Sequence, residues 1–263
     1  MTRETFNRAA INPSLPEGRS KMQLTVWQPA QTDWAVLVLP GGGYEEIAAD
    51  REGFPVAQAF CAEGHGAAVL EYSITPDRWP LALLETAASI ALLRERGAKR
   101  VAVCGFSAGG HLAGCAANLW SMPTVASALG IDPAAARPDA AILCYPVITA
   151  KPLAGRAESF DNLLGQGAPI HETLSLETSV RGDNPPTFLW ATIADDSVPV
   201  KHTLLYADAL HAAGVPFELH LYPNGPHAMA LADGRTGGYS EQQDPHVATW
   251  FPLCLSWLST LQP

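Results

Sequence analysis

The run Arg100-Val101-Ala102-Val103-Cys104 meets Gly105-Phe106-Ser107-Ala108-Gly109-Gly110, so a β-rich apolar segment passes into a helix-like one through a single glycine-flanked serine. Few architectures need a strand and a helix to meet so abruptly. A serine hydroxyl is a poor nucleophile until a base takes its proton, and it must project from a tight, strained turn to reach base and substrate together. Gly105 and Gly109 leave room for that turn, which is the layout of a nucleophile elbow.

The rest of the chain repeats the strand-then-helix rhythm. Apolar β-type runs occur at Gln23–Trp27, Trp34–Leu39, Ala67–Tyr72, Arg100–Cys104, Ala140–Tyr145, Thr187–Ile193 and Phe217–Tyr222. Helix-like segments lie at about Arg51–Glu63, Leu81–Arg96, Ala108–Trp120, Lys201–Ala213 and His246–Leu261. Such alternation predicts an α/β fold with a mostly parallel sheet and helices on both faces. The rhythm breaks at 149–186, rich in Gly, Pro and polar residues, which is expected to be an insertion over the sheet edge and part of a pocket wall. With 263 residues, 48% of them hydrophobic, and no linker or repeat, residues 1–263 are expected to form a single domain.

Charge excludes some partners. A net charge of −10 with 16 Lys and Arg and no basic run argues against nucleic acid or an anionic membrane surface. Met1–Arg8 has mixed charge and no apolar stretch after it, so a cytoplasmic location is expected. Cys61, Cys104, Cys115, Cys144 and Cys254 are scattered through apolar segments and read as reduced core residues.

A nucleophilic serine needs a base. Among eight histidines the best placed is His227, in Tyr222-Pro223-Asn224-Gly225-Pro226-His227, a loop after the last predicted strand. Its rival, His246, would sit at a helix N-terminus, which disfavours the imidazolium formed during proton transfer. His111 is expected to pack beneath the site, and no two histidines match metal-ligand spacing. The carboxylate that orients the base should follow a late strand, and Thr187–Ile193 ends in Ala194-Asp195-Asp196-Ser197-Val198-Pro199. Neighbouring side chains diverge, so one of Asp195 and Asp196 can face His227, the other capping the next helix or facing solvent. Backbone donors for an oxyanion are offered by Pro40-Gly41-Gly42-Gly43-Tyr44, after the second predicted strand, and by Ala108, the residue after the serine. The loop lacks the lysine and Ser/Thr of a phosphate-binding motif.

These residues resemble the small α/β-hydrolase carbohydrate esterases and carboxylesterases, a group that includes acetyl-xylan and feruloyl esterase-like enzymes and is related to hormone-sensitive lipase. The resemblance spans nearly the whole chain: PGGGY at Pro40–Tyr44, YSITP at Tyr72–Pro76, GFSAGGHLA at Gly105–Ala113, RPDAAILCYPVI at Arg137–Ile148, NLLG at Asn162–Gly165, and the closing DxxVP and GxH elements. It implies an α/β-hydrolase fold with Ser107 as nucleophile, His227 as base and oxyanion donors on Gly42, Gly43 and Ala108. It favours Asp195, which alone fits D-x-x-V-P, and Tyr44, closing the glycine loop, is expected to contact substrate. The sequence departs from relatives at Pro40, where hormone-sensitive-lipase-like enzymes have His, and at Ala228, where many have Gly.

The expected reaction is hydrolysis of short-chain acyl esters through an acyl-enzyme, with a small-molecule ester as partner and no metal or organic cofactor. Imported acetylated oligosaccharides or small esters fit better than polymeric xylan. A serine peptidase, a lactone hydrolase and a non-catalytic ligand-binding protein are the alternatives on this fold. Among the tryptophans, only Trp79 is loop-like enough to consider for stacking on a sugar.

Overall fold

The computed structural model describes residues 2–28, 32–76, 79–151, 153, 158–169, 172–236 and 240–261. In chain order its elements are β1 (Thr2–Asn7), α1 (Arg8–Ile11), β2 (Gln23–Gln28), β3 (Thr32–Leu39), α2 (Phe54–Ala62), β4 (Gly66–Glu71), α3 (Leu81–Glu95), β5 (Ala98–Phe106), α4 (Ala108–Leu119), α5 (Pro123–Leu129), α6 (Pro133–Ala136), β6 (Ala140–Cys144), α7 (Glu158–Leu164), β7 (Thr187–Thr192), α8 (Lys201–Ala212), β8 (Phe217–Tyr222) and α9 (Trp250–Thr260). The strands form one sheet in the order β1-β2-β4-β3-β5-β6-β7-β8. β1 and β2 pair antiparallel, β2 pairs antiparallel with β4, and the remaining ladders are parallel.

Period-two side-chain alternation divides the core between the two faces. Leu37, Leu39, Val101, Val103 and Leu143 point to the side covered by α3, α4 and α8, where they meet Leu83, Leu112 and Tyr206. Val36, Val38, Cys104, Ile142 and Trp190 point to the other side, against Phe60 of α2 and Trp250 of α9. Trp190 and Trp250 stack with ring centroids 5.2 Å apart. Burying side chains of this size contributes about 1.5–3 kcal/mol each, which explains why buried parallel strands read as unbroken apolar runs.

The seven expected strands are all present, and the sheet has one more. β1 escapes the hydrophobic pattern because it is an edge strand with Phe6 as its one apolar residue. The 149–186 segment also departs from expectation. It connects β6 to β7, both interior strands, rather than leaving the sheet at an edge strand. Instead it packs on α4 and α8: Asn118 donates to the Leu176 carbonyl at 2.9 Å, and a side chain on Gly114 would collide with Leu176. Within this segment residues 152, 154–157, 170 and 171 lie outside the described residues. All five cysteines are unpaired thiols, four of them buried. Among the described residues no helix is long and apolar enough to cross a membrane.

Candidate active site

Loops leaving the C-terminal ends of β3, β5, β6, β7 and β8 converge on one rim of the sheet, where α/β folds gather their chemistry. Ser107 follows β5 directly, with φ 53° and ψ −118°. Positive φ at a serine costs on the order of 1–3 kcal/mol and persists only when its surroundings impose it. Here they do. A Cβ on Gly105 would lie 2.1 Å from the Gly109 carbonyl oxygen, and one on Gly109 would lie 2.1 Å from that of Leu39. The Ser107 N–H donates to Cys144 O at 3.1 Å, and its carbonyl accepts from His111 and Val147 N–H, each at 3.1 Å.

Ser107 Oγ lies 2.9 Å from His227 Nε2, and His227 Nδ1 lies 2.6 Å from Asp195 Oδ2. The Asp195 side chain is fully buried while that of His227 is 19% exposed, so the chain of groups runs from the interior to the cavity. Asp195 Oδ1 accepts the N–H groups of Ser197 at 2.9 Å and Val198 at 2.8 Å, which fixes the carboxylate in the bend after β7. With Nδ1–H donating to Asp195, Nε2 is left as the acceptor for the serine proton. Asp196 is exposed and does not cap α8, and His246 packs its ring against Tyr222 at 5.2 Å on the surface.

The glycine loop follows β3. Gly42 adopts φ 124° and Gly43 φ 64°, and a Cβ on Gly42 would lie 2.2 Å from Glu46 O. Among the described residues the N–H groups of Gly42, Gly43 and Ala108 have no protein acceptor, whereas Gly41 N–H donates to Glu52 Oε2 at 2.8 Å. Ala108 opens α4, where helix geometry leaves N–H groups unpaired. Three unpaired N–H donors in the turns around Ser107 are groups of the kind that can hold a developing oxyanion.

Glu52 and Tyr145 are absent from the sequence-based site. Glu52 is buried in a π-helical turn, Ala49–Gly53, and its Oε1 accepts the Tyr145 hydroxyl at 2.8 Å. That phenol oxygen in turn accepts Ala230 N–H at 2.9 Å, and the Tyr145 ring meets His227 edge-on at 5.1 Å. Burial, reinforced by the Glu52 carboxylate, pushes the Tyr145 phenol well above its usual range, so it stays a donor. Both partners are separated from each other by more than a third of the chain, which leaves no local signal.

The cavity over Ser107 has a volume of about 640 Å³ and mixes Glu45, Glu46, Arg51, Ser159, Asn162 and His202 with apolar Val147 and Val198. Ser159 and Asn162 come from the 149–186 segment, and Asn162 Nδ2 donates to Gly43 O at 3.0 Å. Tyr44 does not fulfil its expected role. Its side chain turns into the core, where its hydroxyl bonds His111 Nδ1 at 2.8 Å, and it does not line the cavity. The other His111 nitrogen donates to Leu174 O at 2.9 Å, and burial pushes the imidazole down to about 4. Trp79 is half-buried against the core and away from the cavity lining, while Asp77 and Arg78 lie outside the described residues. Among the described residues no cluster of three or more His, Cys, Asp or Glu could hold a metal ion.

A family model described as alpha/beta hydrolase fold matches residues 41–231. The chain is 35% identical over 237 residues to endo-1,4-beta-xylanase B of Butyrivibrio fibrisolvens, covering 79% of this chain and 35% of that protein. It is 25% identical over 263 residues to an acetylxylan esterase of Xylanibacter ruminicola, covering 95% of this chain and 51% of the relative. The chain therefore spans about a third of one of these relatives and about half of the other. Among solved structures, an acetyl ester-xyloside bifunctional hydrolase from Caldicellulosiruptor lactoaceticus superposes with a TM-score of 0.79 at 33% identity, covering 97% of this chain and 93% of the other.

Proposed function

The chain belongs to the alpha/beta hydrolase fold family, and from that premise we propose that it is a serine carboxylesterase that removes short acyl groups, acetyl above all, from acetylated sugars or oligosaccharides. The observation that carries this reading is the Ser107–His227–Asp195 chain of hydrogen bonds, 2.9 and 2.6 Å, opening into a cavity. The polar side chains around that cavity suit a hydroxyl-rich alcohol half better than a lipid, and the acetyl-ester relatives point the same way.

In the proposed reaction, His227 Nε2 takes the Ser107 proton as Oγ attacks the ester carbonyl, and Asp195 stabilises the imidazolium through Nδ1–H. The N–H groups of Gly42, Gly43 and Ala108 hold the tetrahedral oxyanion. His227 then returns the proton to the departing alcohol oxygen. Water attacks the acyl-enzyme by the same route, giving the free acid and regenerating Ser107. The test is acetate release from an O-acetylated xyloside by the native protein and by Ser107→Ala. Equal release by both would sink the reading.

A further inference from the structure

One polar group on the cavity wall is held in place by the protein and yet, among the described residues, has no partner for its free end. His202, in the first turn of α8, is 3% exposed. Its Nδ1 accepts two backbone N–H groups, from Ile148 at 3.0 Å and Thr149 at 3.2 Å. A ring nitrogen accepting two donors carries no hydrogen, so the proton of the neutral imidazole sits on Nε2. Burial pushes the His202 imidazole down to about 4, against a smaller opposing pull from the Asp195 carboxylate, so the ring is neutral at physiological pH. Among the described residues Nε2 has no acceptor, and it is not among the polar atoms sealed in the interior. The ring lines the cavity beside Val147, Ser197 and Val198.

We infer that His202 is a specificity-determining residue whose Nε2–H donates to an oxygen of the alcohol half of the ester, a sugar hydroxyl or ring oxygen. The inference rests on the esterase reading above. An acetyl group has one oxygen, its carbonyl, and the Gly42, Gly43 and Ala108 N–H groups are available for that. A further fixed donor on the wall has only the alcohol half to address. The preference follows from the cost of desolvation: a buried N–H that meets an oxygen in one substrate and hydrocarbon in another discriminates between them.

The two ring nitrogens can be separated by substitution. In His202→Asn the amide oxygen replaces Nδ1 as acceptor for Ile148 and Thr149, but nothing reaches the Nε2 position. In His202→Gln the amide nitrogen reaches that position, while the two backbone N–H groups lose their acceptor. The readout is kcat/KM on an O-acetylated methyl xyloside divided by kcat/KM on phenyl acetate, whose alcohol half has no hydroxyl. His202→Asn should lower this ratio about tenfold, chiefly through a higher KM for the xyloside, and keep most of the native thermal stability. His202→Gln should keep the ratio within about threefold of native and melt at a lower temperature. An unchanged ratio in His202→Asn would overturn the inference, as would a loss shared equally by both esters, which marks a role in holding the backbone or the oxyanion. Absence of Ser107-dependent turnover of either ester in the native protein would instead overturn the esterase reading, and this inference with it.

Discussion

Tyr145 donates its hydroxyl to Glu52 across 2.8 Å, joining the chain just after β6 to the turn that precedes α2. Glu52 also holds Gly41, and Tyr145 also holds Ala230, so this pair ties the glycine loop to the segment that carries His227. Tyr145→Phe keeps the ring against His227 but leaves a buried carboxylate oxygen and the Ala230 N–H short of a partner. Stability should drop by about 1–3 kcal/mol, and kcat by about tenfold with KM little changed. A native kcat in a folded Tyr145→Phe protein would show that the two loops keep their places without the bridge.

Ser107→Ala and His227→Ala should each lower ester hydrolysis by about a thousandfold or more while leaving the circular dichroism spectrum native, because members of such a unit fail together. The proposed chemistry draws on no metal, so EDTA should leave the rate unchanged. Loss on chelation, restored by zinc, would assign His227 a different part.

The adjacent aspartates should separate cleanly. Asp195 is buried and bonded to His227, whereas Asp196 is exposed. Asp195→Asn should cost on the order of a thousandfold or more in kcat, because an amide in place of the carboxylate can favour the wrong imidazole tautomer. Asp196→Asn should stay within about twofold, as surface substitutions usually do. The reverse ranking would transfer the role to Asp196.

Acyl length is a further test. With polar side chains around a cavity of about 640 Å³, acetyl esters should be preferred, with kcat/KM falling gradually to butyrate and strongly by octanoate. Rates that climb with chain length, or jump at a lipid interface, would mark a lipase.

Acid should weaken the fold through His111 and His202. Burial depresses both imidazoles to about 4, offset only in part by the Leu174 carbonyl bond in one and the Asp195 carboxylate in the other. The unfolded chain binds protons from about pH 6.5 downward, so it holds more protons than the native state between there and about 4. The stability from these two groups is thus complete above about pH 6.5 and lost progressively through that window. Urea midpoints at pH 7.5, 5.5 and 4.5 should fall in that order, and His202→Asn should show a shallower decline. A flat series would mean that the two rings take up protons without strain on the fold.

Much of this was legible in the sequence because the informative contacts are local or periodic. The strands around the elbow announce themselves as apolar runs, and Ser107 sits between two glycines that no larger residue can replace. Local residue chemistry left Asp195 and Asp196 equivalent, and only the D-x-x-V-P spacing favoured Asp195, the side chain that turns inward to His227. α7 hides in a polar segment, and β1 carries too little apolar surface to register. Glu52, Tyr145 and His202 act through partners distant in sequence, and each is an ordinary residue in its local context. Tyr44 misled for the opposite reason, since its neighbours in the glycine loop face the cavity while its own ring is committed to His111.

The crowding at the elbow has a bearing on how such a molecule can be changed. Gly105 abuts the backbone of Gly109, and Gly109 abuts that of β3, so the turn that carries Ser107 is closed to larger residues at both glycines. The opposite wall is different: Ser159 and Asn162 belong to a long connection that adds side chains over the cavity without entering the sheet. That connection is therefore a place where the cavity can be reshaped without disturbing the turn at Ser107. Any such edit must respect Asn162, whose grip on the Gly43 carbonyl would carry a careless remodelling straight into the glycine loop.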